Sequence, residues 1–289
     1  MQAVRPDYYG RIAAAAGAPL RRFHLLAEGN SATVYRVELT DDRQVAVKIA
    51  DPQTGRLQVE GAMLDDLRRL SRLPVPRNLY GAPELLVMSW IDNDGGALGA
   101  GAQTQAAELL AELHGITAAG YGYDRDTLIG GLAQPNGWLT SWCEFFRERR
   151  LRFMAQEAHR AGRLPSPLLA RVEILAGRLE RWIPDDGQPS LIHGDMWGGN
   201  VLVKDGAIAG FVDPAIYYAD AEIELAFATL FNTFGEAFFR RYGELRPLRP
   251  GFFEERRDLY NLYPLLVHAR LFGGSYVESV AATLTRYGC

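Results

Sequence analysis

With 289 residues, 48% of them apolar and 23% charged, the chain has the composition of an ordinary globular protein and enough length for two unequal lobes. The net charge of −4 is scattered, with no basic stripe of the kind that marks nucleic-acid binders. Cys143 and Cys289 are far apart and in no metal-ligand spacing, which argues against a disulfide scaffold and suits a reducing compartment. Met1 to Leu20 contains Arg5, Asp7 and Arg11 around a short alanine run and makes a poor signal peptide. Nor does any apolar stretch approach the roughly 18 residues of a membrane span, so the expected location is the cytoplasm.

In chain order, the first stretch to about Gly17 reads as a helix ended by that glycine and Pro19. Thr33 to Leu39 alternates as a strand, Asp41-Asp42 forms a turn, and Gln44 to Ile49 is the hairpin partner. Arg56 to Arg72 places Leu57, Met63, Leu64, Leu67 and Leu70 on one helical face before Pro74 and Pro76 stop it. Leu85 to Met88 is a short apolar strand. The Gly- and Asp-rich stretch from Asp92 to Gly101 then marks a change of composition. This predicts two domains, 1–91 and 92–289. Beyond the boundary, Gln103 to His114, Trp138 to Glu157, Pro167 to Trp182 and Ala221 to Tyr287 read as helical. Two β-like runs, Leu191-Ile192 and Val201 to Val203 with Ile208 to Val212, flank a polar loop. Strands gathered first and helices after them argue for an α+β fold over a doubly wound sheet.

That polar loop carries the strongest chemical signal: His193-Gly194-Asp195-Met196-Trp197-Gly198-Gly199-Asn200, followed by Phe211-Val212-Asp213. Polar turns between strands favour Asp, Gly and Asn for conformational reasons alone. Yet an Asp, an Asn five positions on, and a second Asp after a strand are what phosphoryl transfer requires. The first orients the attacking hydroxyl, and the other two are hard ligands for Mg²⁺ on the phosphates. Gly198 and Gly199 are expected to let the loop turn tightly.

This loop resembles that of the aminoglycoside-phosphotransferase and choline-kinase superfamily of protein-kinase-like enzymes. Its Trp197 and paired glycines are similar to the fructosamine (ketosamine) kinase family. Trp142 to Leu151, Asp213 to Asp220 and Leu271 to Tyr276 resemble that family too, and the resemblance runs over essentially the whole chain. It implies a kinase fold with a small antiparallel-sheet N-terminal lobe and a larger helical lobe, and the use of ATP and Mg²⁺. It also implies an alcohol-group phosphotransferase acting on a sugar hydroxyl of small or protein-linked ketoamines, a step in deglycation. Sister activities on aminoglycosides or choline, and an inactive nucleotide-binding pseudokinase, are the alternatives. An intact set of Lys48, Asp195, Asn200 and Asp213 argues against the last. No nucleic-acid or membrane partner is expected, and a monomer fits the sequence.

The first half supplies the nucleotide residues that such a fold needs. Lys48 ends the Val45 to Lys48 strand, where a kinase puts its phosphate-contacting lysine, and Glu60 on the next helix is its expected ion-pair partner. Gly29, Asn30 and Ser31 lie in the expected phosphate-covering loop, which has less glycine than the family's usual loop and no cysteine. Met88 to Ile91, with Trp90, is the expected adenine hinge. Asp213-Pro214-Ala215 stands where regulated protein kinases have Asp-Phe-Gly, and the proline opposes a flip of that segment.

For the acceptor, Trp197 could stack on a sugar face, while Asp220, Glu222 and Glu224 could attract an amine. Carboxylates at a helix start also serve as caps and dipole partners, and relatives commonly carry Asp where Glu224 stands. His268 falls in a family-like stretch. His114 reads as a core or helix-end residue and His193 as a brace for the loop.

Overall fold

The computed structural model describes residues 6–29 and 31–289; Asn30, expected in the phosphate loop, lies outside them. In chain order the elements used below are α1 (Pro6–Ala16), β1 (Leu20–Glu28), β2 (Thr33–Leu39), β3 (Gln44–Ile49), α2 (Leu57–Leu70), β4 (Asn78–Ala82), β5 (Leu85–Ser89) and α3 (Ala100–Leu113). There follow β6 (Thr127–Ile129), β7 (Leu132–Gln134), α4 (Trp142–Phe145), α5 (Phe153–Arg160), α6 (Ser166–Ala176), β8 (Ser190–Ile192), β9 (Val201–Lys204), β10 (Ala207–Phe211) and β11 (Tyr217–Ala219). The chain ends with α7 (Glu222–Leu230), α8 (Glu236–Leu245), α9 (Arg257–Phe272) and α10 (Ser275–Arg286).

The chain folds as two compact units. Unit 1 takes in residues up to Ala97, together with Gly130–Leu132 and Val201–Pro214; unit 2 holds Leu98–Ile129, Ala133–Asn200 and Ala215–Cys289. Set beside the division expected at 91/92, unit 1 therefore also includes Asp213.

Unit 1 is built on an antiparallel sheet in the order β1-β2-β3-β5-β4. Side-chain alternation sorts its two faces. Val45 and Val47 of β3 and Leu85 and Val87 of β5 join Val37 and Leu39 against Tyr8, Ile12 and Ala16 of α1. That leaves Lys48 on the opposite face, paired in register with Leu86. The helix packs tightly on the sheet there, since a Cβ on Gly61 of α2 would lie 3.1 Å from the Leu86 side chain. Gly17, at φ +73°, closes α1, its N–H donating to Ala13 at 2.9 Å. The β2–β3 turn contains Asp42 at φ +66°, a conformation that Asp tolerates better than most residues.

The hairpin β9–β10 completes unit 1. Its two-residue turn, Asp205-Gly206, has φ of +50° and +74°, the left-handed pair that matches strand twist. Phe211 donates its N–H to the Pro74 carbonyl at 2.8 Å, tying the hairpin to the loop after α2. β4 was not among the expected strands. Its Asn78-Leu79-Tyr80-Gly81-Ala82 run lacks apolar alternation, and it forms by pairing with β5.

Unit 2 surrounds a core that includes the fully buried Trp142, Phe145, Phe146 and Tyr260, with α9 packed against α5, α7 and α10. The helix expected from Trp138 to Glu157 starts later, at Trp142, and is interrupted by a π-helical stretch, Phe146–Arg152. The extra residue in those turns carries Arg150 into the interior. Its guanidinium lies 3.8 Å from the ring centroid of Tyr217 and donates to the Pro135 carbonyl at 2.8 Å and Asn136 Oδ1 at 2.7 Å. Among the described residues, no helix is long and apolar enough to cross a membrane.

Candidate active site

In unit 1, Lys48 Nζ stands 2.8 Å from Glu60 Oε1 and 2.6 Å from Asp213 Oδ1. The lysine side chain is 8% exposed, so its desolvation favours losing the proton. The charges of Asp213 and Glu60 more than reverse this, and the pKa lies above the ordinary lysine value. Burial raises the Glu60 pKa, against the pull of Lys48 and with a further push from Asp213. Asp213 itself is held at φ +57° just beyond β10, and its side chain is 44% exposed.

Gly29 and Ser31, expected to cover the phosphates, sit at the β1–β2 connection. Gly29 donates to the Ala32 carbonyl at 3.0 Å, and Ser31 is exposed. The turn at Gly130-Gly131, not singled out from the sequence, approaches this loop: a Cβ on Gly131 would lie 2.6 Å from that of Ser31. Met88 is buried within β5, and Trp90, just past its end, has the Arg36 guanidinium 5.9 Å from its ring centroid.

In unit 2, β8 delivers the loop from His193 to Asn200. Gly194 adopts φ +87°, and a Cβ there would fall 2.1 Å from the Ala215 carbonyl oxygen, so only glycine fits. His193 returns the contact, its carbonyl accepting the Ala215 N–H at 2.7 Å. Asn200 Nδ2 donates to both the carbonyl and Oδ2 of Asp195, at 2.8 and 3.0 Å. The Asp195 carboxylate is thereby oriented by the amide nitrogen of Asn200. Gly199 permits the close approach of the Trp197 ring, 2.3 Å from where its Cβ would be. Gly198 is different: it has no left-handed backbone and open space beside it, so the tight turn expected of both glycines needs only one.

The loop is anchored from beneath. Glu224 Oε1 accepts the Gly194 N–H at 2.6 Å and Oε2 that of His193 at 3.2 Å. Gln134, which the sequence did not single out, donates to the Ala215 carbonyl at 3.1 Å and accepts from Tyr263 Oη at 2.8 Å. His193 braces the loop through Nδ1, 3.4 Å from the Asp195 N–H.

Two carboxylates expected to face a substrate amine are otherwise engaged. Glu222 is buried and accepts a bidentate pair from Arg256, at 2.6 and 2.9 Å, while Arg249 Nε donates to it at 3.2 Å. Asp220 is paired with Arg249, and its Oδ1 accepts the Glu222 N–H at 3.0 Å where α7 begins. Burial raises the Asp220 pKa despite Arg249. Cationic partners 27 to 34 residues further along the chain occupy the oxygens that an amine would need.

Trp197, by contrast, is 41% exposed, and it belongs to an aromatic cluster. Phe231 lies 6.3 Å from Trp197 and 5.0 Å from His268, and His268 is 4.9 Å from Tyr276, all as ring centroids. His268 Nδ1 binds the Pro264 carbonyl at 2.7 Å, and burial lowers its pKa in spite of that bond.

Magnesium is commonly held by one or two protein oxygens plus phosphates and water, and the carboxylate of Asp213 in unit 1 and the side-chain amide of Asn200 in unit 2 each carry a hard oxygen of that kind. No cluster of three or more His, Cys, Asp or Glu side chains fit to hold a metal occurs among the described residues. A cavity of about 500 Å³ lined by Ser141, Cys143, Arg147, Glu180 and Asp185 includes none of the residues of this chemistry.

An ion-paired lysine on an antiparallel sheet, a loop Asp oriented by an Asn five residues on, and a second Asp after a strand define a phosphotransferase of the protein-kinase-like α+β fold. The chain belongs to the fructosamine kinase family, whose model matches residues 12–287. It is 33% identical over 252 residues to a "probable ketoamine kinase" of Synechocystis, covering 84% of this chain and 82% of that one. It is 31% identical over 227 residues to the chloroplastic protein-ribulosamine 3-kinase of Arabidopsis thaliana, covering 76% and 67%. The crystal structure of a "putative fructosamine-3-kinase" of Thermobifida fusca superposes with a TM-score of 0.85 at 29% identity, covering 98% and 100%. An aminoglycoside phosphotransferase bound to gentamicin has a TM-score of 0.69 at 14% identity and 99% and 97% coverage, a likeness of fold alone. The protein is an ATP-dependent kinase.

Proposed function

We propose that this kinase transfers the γ-phosphoryl group of ATP to a sugar hydroxyl of ketoamines, the rearranged adducts of sugars and amines. The observation that carries the reading is the Asp195 carboxylate held by Asn200 in the glycine-bearing loop, in a chain that also keeps the Lys48–Glu60–Asp213 set. The activities for which the relatives are named, ketoamine kinase and protein-ribulosamine 3-kinase, support the substrate class.

In this reading the acceptor oxygen forms its bond to the γ-phosphorus as the bond from that phosphorus to the β,γ-bridging oxygen breaks. Asp195 orients the hydroxyl and receives its proton. Lys48, kept charged and in place by Glu60, neutralises phosphate oxygens. Asp213 and Asn200 would hold Mg²⁺, which when bound offsets charge on the phosphates. Backbone groups at Gly29 and Ser31 cover the phosphates, and Met88 to Ile91, with Trp90, receives the adenine. The exposed face of Trp197, with His268 and Phe231 in its cluster, packs against the C–H face of the sugar. Asp220 and Glu222 support this surface through α7 and do not themselves bind the amine.

The test is Mg²⁺-dependent ATP consumption against ribulosamine, erythrulosamine and fructosamine conjugates, aminoglycosides and choline, with Asp195→Ala as control. Turnover with ketoamines that falls by about 10²–10⁴ in kcat in the variant is the expected result. Turnover confined to an aminoglycoside or aminoalcohol would refute the substrate assignment.

A further inference from the structure

β6 and β7 are joined by a two-residue turn, Gly130-Gly131, with φ of +54° and +82°. Left-handed backbone at both central positions is the hairpin turn that matches strand twist, and glycine enters it without steric cost. At Gly131 the surroundings add a second restriction. A Cβ there would fall 2.6 Å from Ser31 Cβ and 3.3 Å from Ser31 Oγ, the first closer than two carbons can stand without one giving way. Gly130 to Leu132 and Ser31 belong to the same compact unit.

Ser31 stands at the tip of the β1–β2 hairpin. The last cross-strand pair is Glu28 with Thr33, and the Gly29 N–H closes the connection on the Ala32 carbonyl at 3.0 Å. Thr33 and Val34 lie opposite Ile49 and Lys48, so the tip extends past the end of β3, just beyond the lysine. Loops that cover phosphates usually draw on their own glycines, whose backbone can fold close to the oxygens. This one has Gly29 alone between Glu28 and Thr33, and the paired glycines that meet its tip come from far along the chain. A loop that must become ordered when its ligand arrives loses affinity to that ordering, and a contact that holds it beforehand removes the loss. Gly131 makes such a contact on one side of Ser31, which is otherwise exposed.

We infer that the Gly130-Gly131 turn is a positioning element for the triphosphate: it buttresses the β1–β2 loop at Ser31 and so sets affinity for the phosphates and not for the base, given the reading of Gly29 and Ser31 as their cover. The turn does its work by having no side chain at residue 131, which lets the loop tip rest against it. The ligand that depends on it is a nucleoside triphosphate. Adenosine, with the base and sugar only, does not.

The experiment measures Kd by calorimetry, for ATP with Mg²⁺ and for adenosine. The proteins are wild type, Gly131→Ala, Gly131→Ala combined with Ser31→Gly, and Gly206→Ala. Gly206 is the control: it has φ +74° in the β9–β10 turn of the same unit, with nothing within 4 Å of an added Cβ. Gly131→Ala is expected to weaken ATP about 5- to 20-fold and to leave adenosine within about twofold, since only the phosphates call on the loop. Ser31→Gly in the same chain removes the obstructing atom, keeps the backbone N–H, and should recover most of the loss. Gly206→Ala, with left-handed strain and no neighbour, should bind ATP as wild type does. Should Gly131→Ala fail to fold, Ser31→Thr keeps the hydroxyl and crowds the contact from the exposed residue. It is expected to weaken ATP about two- to fivefold with adenosine unchanged. ATP and adenosine weakened alike, or a loss that Ser31→Gly does not repair, would overturn the inference. A wild type that prefers ATP over adenosine, with that preference intact in Gly131→Ala or Ser31→Thr, overturns the buttress alone. A wild type that binds both equally overturns the phosphate-cover reading, and the buttress with it.

Discussion

Lys48 and Asp213, 165 residues apart in sequence, meet at 2.6 Å within one unit, and Glu60 closes on the same ammonium at 2.8 Å. Replacing Lys48 by Met leaves Glu60, 13% exposed, buried without its counter-ion. Removing one partner of a buried pair typically costs about 3–5 kcal/mol, and the lower end applies because Asp213 is 44% exposed. Urea denaturation should register that loss, and ATP turnover should fall by about 10²-fold or more. Unchanged ATP kinetics in a folded Lys48→Met protein would remove Lys48 from the phosphate site.

A second expectation separates the proposed metal ligands, Asp213 and Asn200, from the proposed base, Asp195. Asp213→Ala and Asn200→Ala should each raise the Mg²⁺ concentration needed for half-maximal turnover, whereas Asp195→Ala should lower kcat and leave that midpoint in place. The check is a metal titration at saturating ATP. A midpoint unmoved by Asp213→Ala would show that this carboxylate serves only Lys48.

The two glycines around Asp195 should behave very differently. At Gly194 an added Cβ meets the Ala215 carbonyl oxygen at 2.1 Å in a backbone of φ +87°. Gly194→Ala is expected to destabilise by about 3 kcal/mol or more, from a backbone clash added to left-handed strain. Gly198 has nothing within 4 Å of such a Cβ, so Gly198→Ala should stay within about 0.5 kcal/mol of wild type. Thermal melts of the pair settle the matter, and equal losses would contradict the loop geometry.

Acid should probe Glu224. Burial pushes its pKa up, but the hydrogen bonds from His114 and the Gly194 N–H oppose this, and the pKa lies below the ordinary value of 4.5. A carboxylate with a depressed folded-state pKa contributes stability above the unfolded value and loses it as pH falls through the folded one. Glu224→Gln lacks that contribution at every pH. The stability gap between wild type and variant should therefore be largest above pH 4.5 and narrow below it, as urea melts at successive pH values would show. A gap that widens with acid would mean that Glu224 is not the ionised anchor.

What could be read in advance follows from how local each signal is. β2 and β3 alternate cleanly around an Asp-Asp turn, and the structure begins and ends both strands at the expected residues. The spacing of Asp195, Asn200 and Asp213 is likewise a property of one short stretch. Asp220 and Glu222 carry no such local mark. Their exclusion from solvent is set by Arg249 and Arg256, which nothing in the adjacent sequence announces. His114 was legible as a helix-end core residue, but its bond to Glu224, which also accepts the Gly194 N–H, needs three dimensions to be seen. The π-helical stretch was hidden for another reason: its residues keep helical apolar spacing on either side, and only the inward swing of Arg150 reveals the extra residue.

The two units are interleaved in the chain, and this bears on how the protein is made. During synthesis the sheet of unit 1 leaves the ribosome early, but the β9–β10 hairpin and Asp213 that belong to it emerge only after residue 200. Until then Lys48 has Glu60 and no Asp213. A fragment cut at Ala97 is the same incomplete object made permanent, with a burial-prone lysine short of one counter-charge. Split reporters and truncated expression fragments divided at the early change of composition would separate these two residues. A circular permutant opened in an exposed turn such as Asp205-Gly206 keeps all of unit 1's parts in one molecule.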